Sequence, residues 1–308
     1  MLSRVAENLY WFGRYLERAE NTARLINVNT YLLLDLPRLI TPGWLPLVEM
    51  TGGERAFAKA YKEATEANVL RFMIIDPENP DSILSNLKKA RENLRTTRDV
   101  TPREVWELVN DLYYDVRDQG YRAIPRQHRH DHLTEIIRDV QLITGTLFTS
   151  TSYDTAFRFI RMGFNIEQAD MTTRILDVTS ADLLPHQHDE LASLQNIQWM
   201  SVLKSLTAYQ MYRRHVRLRV SGPSVIRFLL QNSDFPRAVH FSLLRITSQL
   251  HTLPNHKKPL HHVDRLKHLI QDADVRALSE HGLHEFVDEI QRELFELNDS
   301  IGQTYFYS

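Results

Sequence analysis

The chain has 308 residues, no cysteine and a formal net charge of −2. The lack of cysteine excludes disulfides and thiolate metal sites, and the near-neutral charge provides no general attraction to nucleic acid. No apolar run reaches the roughly 18–20 residues that span a bilayer, and the charged residues Arg4 and Glu7 lie where an export signal would be apolar. These features predict a cytoplasmic protein with no membrane span and no nucleic-acid partner.

The spacing of apolar residues predicts an all-α fold, because they recur three and four positions apart and glycine and proline are few. In chain order, the predicted helices cover residues 4–35, 54–75, 81–98, 102–118, 132–150, 154–178, 190–217, 223–231, 236–253, 260–271 and 283–301. Loops are predicted at 36–53, 120–131 and 180–188, and a mobile linker at 252–262. Thr101, Pro102 and Glu104 predict a capping box at the start of the fourth helix.

A segment of the first predicted helix recurs 150 residues later. Residues 13–28 and 163–178 are identical at six of sixteen positions, and several other positions are conservative exchanges. The retained residues are carboxylates, arginines and apolar side chains, which indicates that the repeat preserves both packing and polar contacts.

Two further matches follow in the same order along the chain. They pair residues 69–74 with 225–230 and, more weakly, 44–48 with 199–203. The three matches predict an internal duplication, with a first helical repeat at 1–150 and a second at 151–308, packed as a single unit. We therefore expect long antiparallel helices in two halves related by a pseudo-twofold axis.

The duplicated segment carries a polar stripe on one helix face. Its members are spaced four, three, four and three residues apart. The first copy is Gly13, Glu17, Glu20, Arg24 and Asn27, and the second is Gly163, Glu167, Asp170, Arg174 and Asp177. Glu20–Arg24 and Asp170–Arg174 are favourable i,i+4 pairs. Arg14, Arg71 and Arg227 are secondary candidates, the last two as partners of these carboxylates in a closed network.

Two interpretations of the stripe remain open. In the structural one, ion pairs lock two long helices together and the glycines allow close approach. In the functional one, Glu17, Glu20, Glu167 and Asp170 bind a cationic group or a divalent ion. Mg²⁺ or Mn²⁺ would be the metal, because the predicted ligands are oxygens; no cofactor is otherwise predicted.

Two histidine clusters and one basic run are interpreted as solvated segments. His128, His130 and His132, like His186 and His188, alternate along predicted loops, and neither cluster has a counterpart in the other repeat. They predict solvated loops rather than metal sites. The basic residues between 213 and 219 predict a solvated helix face, with contact to an acidic partner or a phosphate as the alternative.

The segment from Ala6 to Leu25 resembles the opening of the bacterial alpha-E domain family. Shorter resemblances at residues 90–95, 106–110 and 235–239 extend the likeness over essentially the whole chain. The resemblance implies an all-helical protein encoded beside, or fused to, a circularly permuted ATP-grasp ligase, with a transglutaminase-like protein in the same system. Such a setting implies ATP-dependent amide-bond formation on a peptide.

Three functions fit this sequence. The favoured one is an accessory subunit that presents or regulates a substrate, such as a peptide, for an ATP-grasp ligase. The second is an enzyme with a carboxylate and arginine site at the pseudo-dyad, whose carboxylates act either as acid and base groups or as ligands of a divalent metal. The third is a purely structural oligomer. No P-loop, dinucleotide-binding or serine-nucleophile motif occurs in the chain.

Overall fold

The computed structural model describes residues 2–35, 43–180, 191–217 and 219–307, and within them every regular element is helical. The α-helices are α1 (Ser3–Asp35), α2 (Leu45–Met50), α3 (Glu54–Ala60), α4 (Glu66–Ile74), α5 (Ile83–Arg95), α6 (Arg103–Gln119), α7 (Arg126–Ser150), α8 (Thr155–Ser180), α9 (Leu191–Ser205), α10 (Tyr209–Val216), α11 (Gly222–Gln231), α12 (Val239–Leu250), α13 (Lys257–Gln271), α14 (Val275–Glu280) and α15 (Leu283–Tyr305). Short 3-10 helices lie at Arg98–Val100 and Gly120–Ala123. The predicted all-α class is confirmed.

The described residues form two compact units. The first holds residues 2–29 and 43–164, and the second holds 30–35 and 165–307. The predicted division after residue 150 falls between α7 and α8 and stays a prediction.

The two units pack their helices in the same order along the chain. In the first, α2 packs on α4, α5 on α6 and α6 on α7. In the second, α9 packs on α11, α12 on α13 and α13 on α15. Near-perpendicular ring pairs hold matching helices: Phe57 and Phe72 have centroids 5.2 Å apart, and Tyr212 and Phe228 have centroids 5.6 Å apart.

The predicted apolar stripes of α1 and α8 are confirmed as core. Their side chains are at most 3% exposed, which is expected when one helix face is covered by neighbours. They are Leu9, Phe12, Leu16, Ala19, Ala23 and Ile26 on α1, and Phe159, Met162, Ile166, Ala169 and Leu176 on α8. Among the residues described, none of the helices has the length and apolar character needed to span a bilayer.

Two predicted helices are each broken in two. The helix predicted over 54–75 is interrupted because Tyr61 is extended and the hydroxyl of Thr65 caps α4 by accepting from the amide of Asn68. The helix predicted over 190–217 is interrupted at Thr207, whose φ of 54° lies in the left-handed region. A single-residue break of this kind has no strong signal in the local sequence.

The predicted capping box at Thr101 is wrong. The α6 helix starts at Arg103 after Pro102, with no side-chain cap bond. The hydroxyl of Thr101 instead donates to the carbonyl of Thr97 at 3.1 Å, which closes the preceding 3-10 turn. A capping box needs the hydroxyl oxygen of Thr101 to accept from an amide of α6, and no such bond is present.

Two predicted irregular segments are ordered. The 120–131 loop is replaced by the 3-10 turn at Gly120–Ala123 and by the first turns of α7. The 252–262 linker is packed, because Leu253 is 3% exposed and Pro254 accepts a hydrogen bond from the hydroxyl of Tyr305 at 2.9 Å. Of the other predicted loops, residues 45–50 form α2, whereas 36–42 and 181–188 lie outside the described residues.

Candidate functional site

The polar stripe of α1 lies within a buried part of the first unit. Glu17 is 2% exposed and Glu20 is 4% exposed. Glu17 Oε1 accepts from Asn21 Nδ2 at 3.0 Å. Glu20 Oε1 accepts from Arg24 at 2.8 Å from Nε and 2.5 Å from Nη2. The predicted Glu20–Arg24 ion pair is therefore present, with both charged groups largely removed from water.

The stripe of α8 repeats the ion pair in the second unit. Glu167 is fully buried, and Arg174 Nε donates to Asp170 Oδ2 at 2.9 Å. The side chains of Arg174 and Asp170 are 32% and 13% exposed, whereas those of Arg24 and Glu20 are 13% and 5% exposed. The α1 pair is thus less screened by solvent, and its electrostatic attraction is stronger.

The two duplicated glycines allow α1 and the start of α8 to approach closely. A Cβ atom on Gly13 would lie 2.5 Å from the carbonyl oxygen of Ile160. A Cβ atom on Gly163 would overlap the carbonyl oxygen of Tyr10. The contacts are reciprocal, because Tyr10 lies three residues before Gly13 and Ile160 lies three residues before Gly163. All four residues belong to the first unit.

The three secondary arginines have different surroundings. Arg14 is 8% exposed, with its guanidinium 4.9 Å from the ring centroid of Trp11. Arg71 and Arg227 are exposed, and neither makes an ion pair with a carboxylate in the described part of the chain. Each precedes a buried phenylalanine, and successive helix positions differ by about 100°, which turns the arginine toward solvent. The predicted closed network through these two residues is wrong.

A histidine contacts the last polar residue of each stripe. His130 Nδ1 lies 3.0 Å from Asn27 Oδ1 in the first unit. His284 Nδ1 lies 2.6 Å from Asp177 Oδ1 in the second, and this hydrogen bond raises the pKa of His284. The sequence interpretation missed both contacts and gave His130 no counterpart. Each histidine follows its stripe partner at a similar distance along the chain, 103 residues for His130 and 107 for His284. This common spacing was the sequence signal that could have identified the two histidines as counterparts.

The three histidines of the 128–132 cluster diverge. They lie on α7 rather than in a loop; His128 and His130 are exposed, whereas His132 is buried. Nδ1 of His132 is 3.9 Å from the carboxylate of Glu135. Alternate positions on a helix face different directions, so these side chains do not meet. The other cluster, at 186 and 188, lies outside the described residues.

Arg129 is a buried charge that the sequence interpretation also missed. It is 1% exposed, and its guanidinium donates to the carbonyls of Ala123 and Ile124 at 3.1 and 2.6 Å. Its Nη2 lies 2.8 Å from Glu66 Oε1, which joins α7 to the start of α4. Burial alone would raise the pKa of Glu66, but hydrogen bonds from Arg126 and Arg129 lower it. The residue anchors the fold of the first unit.

The sequence profile of the Alpha-E family, described as a predicted alpha-helical domain with a conserved ER motif, matches residues 1–306. The chain belongs to the Alpha-E family. This Alpha-E chain contains two Glu-Arg dipeptides, Glu17–Arg18 on α1 and Glu54–Arg55 on α3. In the first, the glutamate is a buried member of the polar stripe and the arginine Nη1 lies 2.6 Å from Asp81 Oδ1. In the second, both residues are exposed.

The curated relatives of this Alpha-E chain are mycobacterial. The uncharacterized protein Mb2597 of Mycobacterium bovis and the uncharacterized proteins MT2643 and Rv2567 of Mycobacterium tuberculosis are each 22% identical to it over 318 residues. Each alignment covers 96% of this chain and 34% of the relative. The Alpha-E chain therefore spans about a third of the length of the curated relatives it matches. No solved structure matches it.

Proposed function

We propose that this chain is an accessory helical subunit that holds, presents or regulates a peptide substrate for a circularly permuted ATP-grasp ligase in the cytoplasm. The observation that carries the proposal is the length of the relatives, in which the matching segment makes up 34% of the polypeptide. In those relatives the matching domain is part of a polypeptide about three times longer, so it operates beside other domains. The resemblance of the first helix to the alpha-E family supplies the ligase, and a transglutaminase-like protein, as partners.

The proposed contribution of this chain is rigid positioning rather than a reaction. Buried carboxylates held by neighbouring side chains, such as Glu20 by Arg24, keep the helices that carry them in fixed positions, which suits a scaffold that presents a cationic or peptide group. Paired charges also keep their geometry when solvent is excluded, because separating them inside a protein is costly. This favours positioning of a substrate over chemistry on it.

We also infer that the chain arose by internal duplication, with repeats at 1–150 and 151–308 related by a pseudo-twofold axis. The reciprocal contacts of Gly13 and Gly163 support this, since a two-fold interface places the same patch on both partners. The common packing order of the helices and the paired histidine contacts also support it.

An enzyme with a carboxylate and arginine site is the second candidate. The burial of Glu17 and Glu167, at 2% and 0% exposure, favours it. Burying a carboxylate lowers the stability of the fold, and buried ionisable groups are concentrated at functional sites. In this case Glu17, Glu20, Glu167 and Asp170 would bind Mg²⁺ or Mn²⁺, or transfer protons. Arg24 and Arg174 would bind a carboxylate or phosphate.

The proposal is tested by co-purifying the tagged full chain with the ligase from the native host and by measuring ligase turnover with and without the added chain. We expect a complex and an increase in turnover. A ligase that neither co-purifies nor responds would overturn the accessory function.

Two isosteric variants separate the candidates. Glu17→Gln removes the buried charge of the first Glu-Arg dipeptide, and Glu54→Gln removes the exposed charge of the second. If the chain presents substrate through its stripe, Glu17→Gln weakens stimulation of the ligase while Glu54→Gln leaves it unchanged. A catalytic activity of the isolated chain that Glu17→Gln abolishes at unchanged melting temperature would support the enzyme instead.

A further inference from the structure

Two aspartates and one histidine converge on the surface of the second unit. Asp177 is on α8, and His284 and Asp288 are one turn apart on α15. One ligand atom from each lies within 4.8 Å of the others. Nδ1 of His284 is 2.6 Å from Asp177, and Nε2 is 3.7 Å from Asp288 Oδ2. Both ring nitrogens of one imidazole therefore face carboxylates.

His284 is the second residue of α15 and faces both carboxylates from a position open to solvent. Its side chain is 59% exposed, so its ion pair with Asp177 is screened by water. A divalent cation would give the two carboxylates a stronger partner than an exposed imidazolium does.

The ligand set matches a first-row divalent cation. Zinc binds imidazole nitrogen and carboxylate oxygen at about 2.0–2.2 Å in a tetrahedral arrangement, so two ligand atoms on one ion are about 3.3–3.6 Å apart. The three atoms lie within 4.8 Å of one another, and His284 and Asp288 are more than half exposed, so binding would require their side chains to rotate inward. Water would occupy the remaining positions. Mixed nitrogen and oxygen ligands favour such a cation over Mg²⁺ or Ca²⁺.

The first unit contains a natural control for this arrangement. There Asn27, His130 and Thr134 take the places of Asp177, His284 and Asp288. The histidine and its contact are kept, and Asn27 Nδ2 reaches Thr134 Oγ1 at 3.5 Å. A neutral amide and a hydroxyl replace both anionic ligands, so hydrogen bonding alone maintains the contact. The two carboxylates are the feature that distinguishes the second unit.

The geometry points to a surface site for one divalent first-row cation at Asp177, His284 and Asp288. The site shares Asp177 with the end of the α8 stripe, takes its other two ligands from α15, and does not include the buried Glu167. It would join the last part of α8 to the first turn of α15 within the second unit.

The test is isothermal titration of the EDTA-treated full chain with Zn²⁺ in a buffer that does not bind metal. We expect one site with a dissociation constant in the micromolar range. The double variant Asp177→Asn, Asp288→Thr copies the first unit and is expected to weaken binding by at least about tenfold. His130→Ala, the matched change in the first unit, is expected to leave it unchanged.

A second variant guards against loss of folding. Asp288→Asn changes only an exposed residue, and its melting temperature in EDTA should equal that of the parent, with weaker Zn²⁺ binding. Absence of binding below millimolar Zn²⁺ in the parent chain would overturn the site. So would equal affinity in the Asp177→Asn, Asp288→Thr variant, or a loss of affinity in His130→Ala, since binding would then depend on other histidines.

Discussion

The carbonyl oxygen of Tyr10 lies so close to the Cα atom of Gly163 that no side chain fits between them. A glycine within a helix costs roughly 0.5–1 kcal/mol relative to alanine. At this position the cost is offset by the close contact of α1 with the start of α8. The contact explains the glycine at position 163 by packing alone.

Replacing Gly163 with alanine is expected to lower the free energy of unfolding by about 1–3 kcal/mol, because the methyl group must displace the backbone of α1. Gly145→Ala is the matched control. A Cβ atom at position 145 of α7 meets no atom within 4 Å, so alanine there is expected to stabilise by roughly 0.5–1 kcal/mol. Urea denaturation of both variants measures the difference. Equal stability of the two would contradict the close contact.

Replacing Arg129 with methionine is expected to cost about 3–5 kcal/mol, since it leaves buried carbonyls of Ala123 and Ile124 without their donor and removes a charge from beside Glu66. Arg126 pairs with the same glutamate but is 57% exposed. Arg126→Met is therefore expected to cost less than about 1 kcal/mol. Similar losses in the two variants, measured by chemical denaturation, would rule out the anchoring role of Arg129.

The two stripe ion pairs are expected to differ in strength. A double-mutant cycle with Glu20→Gln and Arg24→Met isolates the coupling in α1, and one with Asp170→Asn and Arg174→Met isolates it in α8. Because the α1 pair is less exposed, we expect a coupling of about 1–3 kcal/mol there and less than about 1 kcal/mol in α8. A stronger coupling in α8 would contradict the ranking by burial.

The free energy of unfolding is expected to fall as the pH drops below about 6.5, the ordinary pKa of histidine. Burial and, secondarily, the charge of Lys267 lower the pKa of His240 in the folded chain. The unfolded chain then binds more protons than the folded one between the two pKa values, so acid favours unfolding. Comparing denaturation at pH 7.5 and 5.5 measures the loss.

His240→Gln isolates this contribution from those of other groups. Glutamine keeps a polar atom near Gln271, whose amide lies 3.3 Å from Nε2 of His240, but it does not titrate. The variant should lose less stability than the parent between the two pH values. An unchanged difference would show that another group, such as His262, whose pKa is also lowered mainly by burial, causes the effect.

The sequence predicted the parts of the fold that depend on local periodicity. The stripe from Leu9 to Ile26 predicted the buried face of α1, since a three- and four-residue spacing places side chains on one side of a helix. The same spacing predicted the Glu20–Arg24 and Asp170–Arg174 pairs, because partners four residues apart on one helix meet without help from the rest of the chain.

The parts that were missed depend on residues distant in the chain. Arg129 is buried because Glu66 and two carbonyls satisfy it, whereas an arginine in an unknown context is expected at the surface. His130 reaches Asn27 across 103 residues. Thr101 was misassigned because α6 begins after Pro102 with no side-chain cap, while the hydroxyl of Thr101 points back to the carbonyl of Thr97 in the preceding 3-10 turn.

The contact of Arg129 with Glu66 also governs how the first unit opens. Glu66 is the first residue of α4, and Arg129 lies in the first turns of α7 beside the 3-10 turn at Gly120–Ala123. Moving either helix away would leave a buried guanidinium without its anion. Amide hydrogens at the start of α4 and of α7 should therefore exchange with solvent deuterium at a common rate, as one cooperative segment.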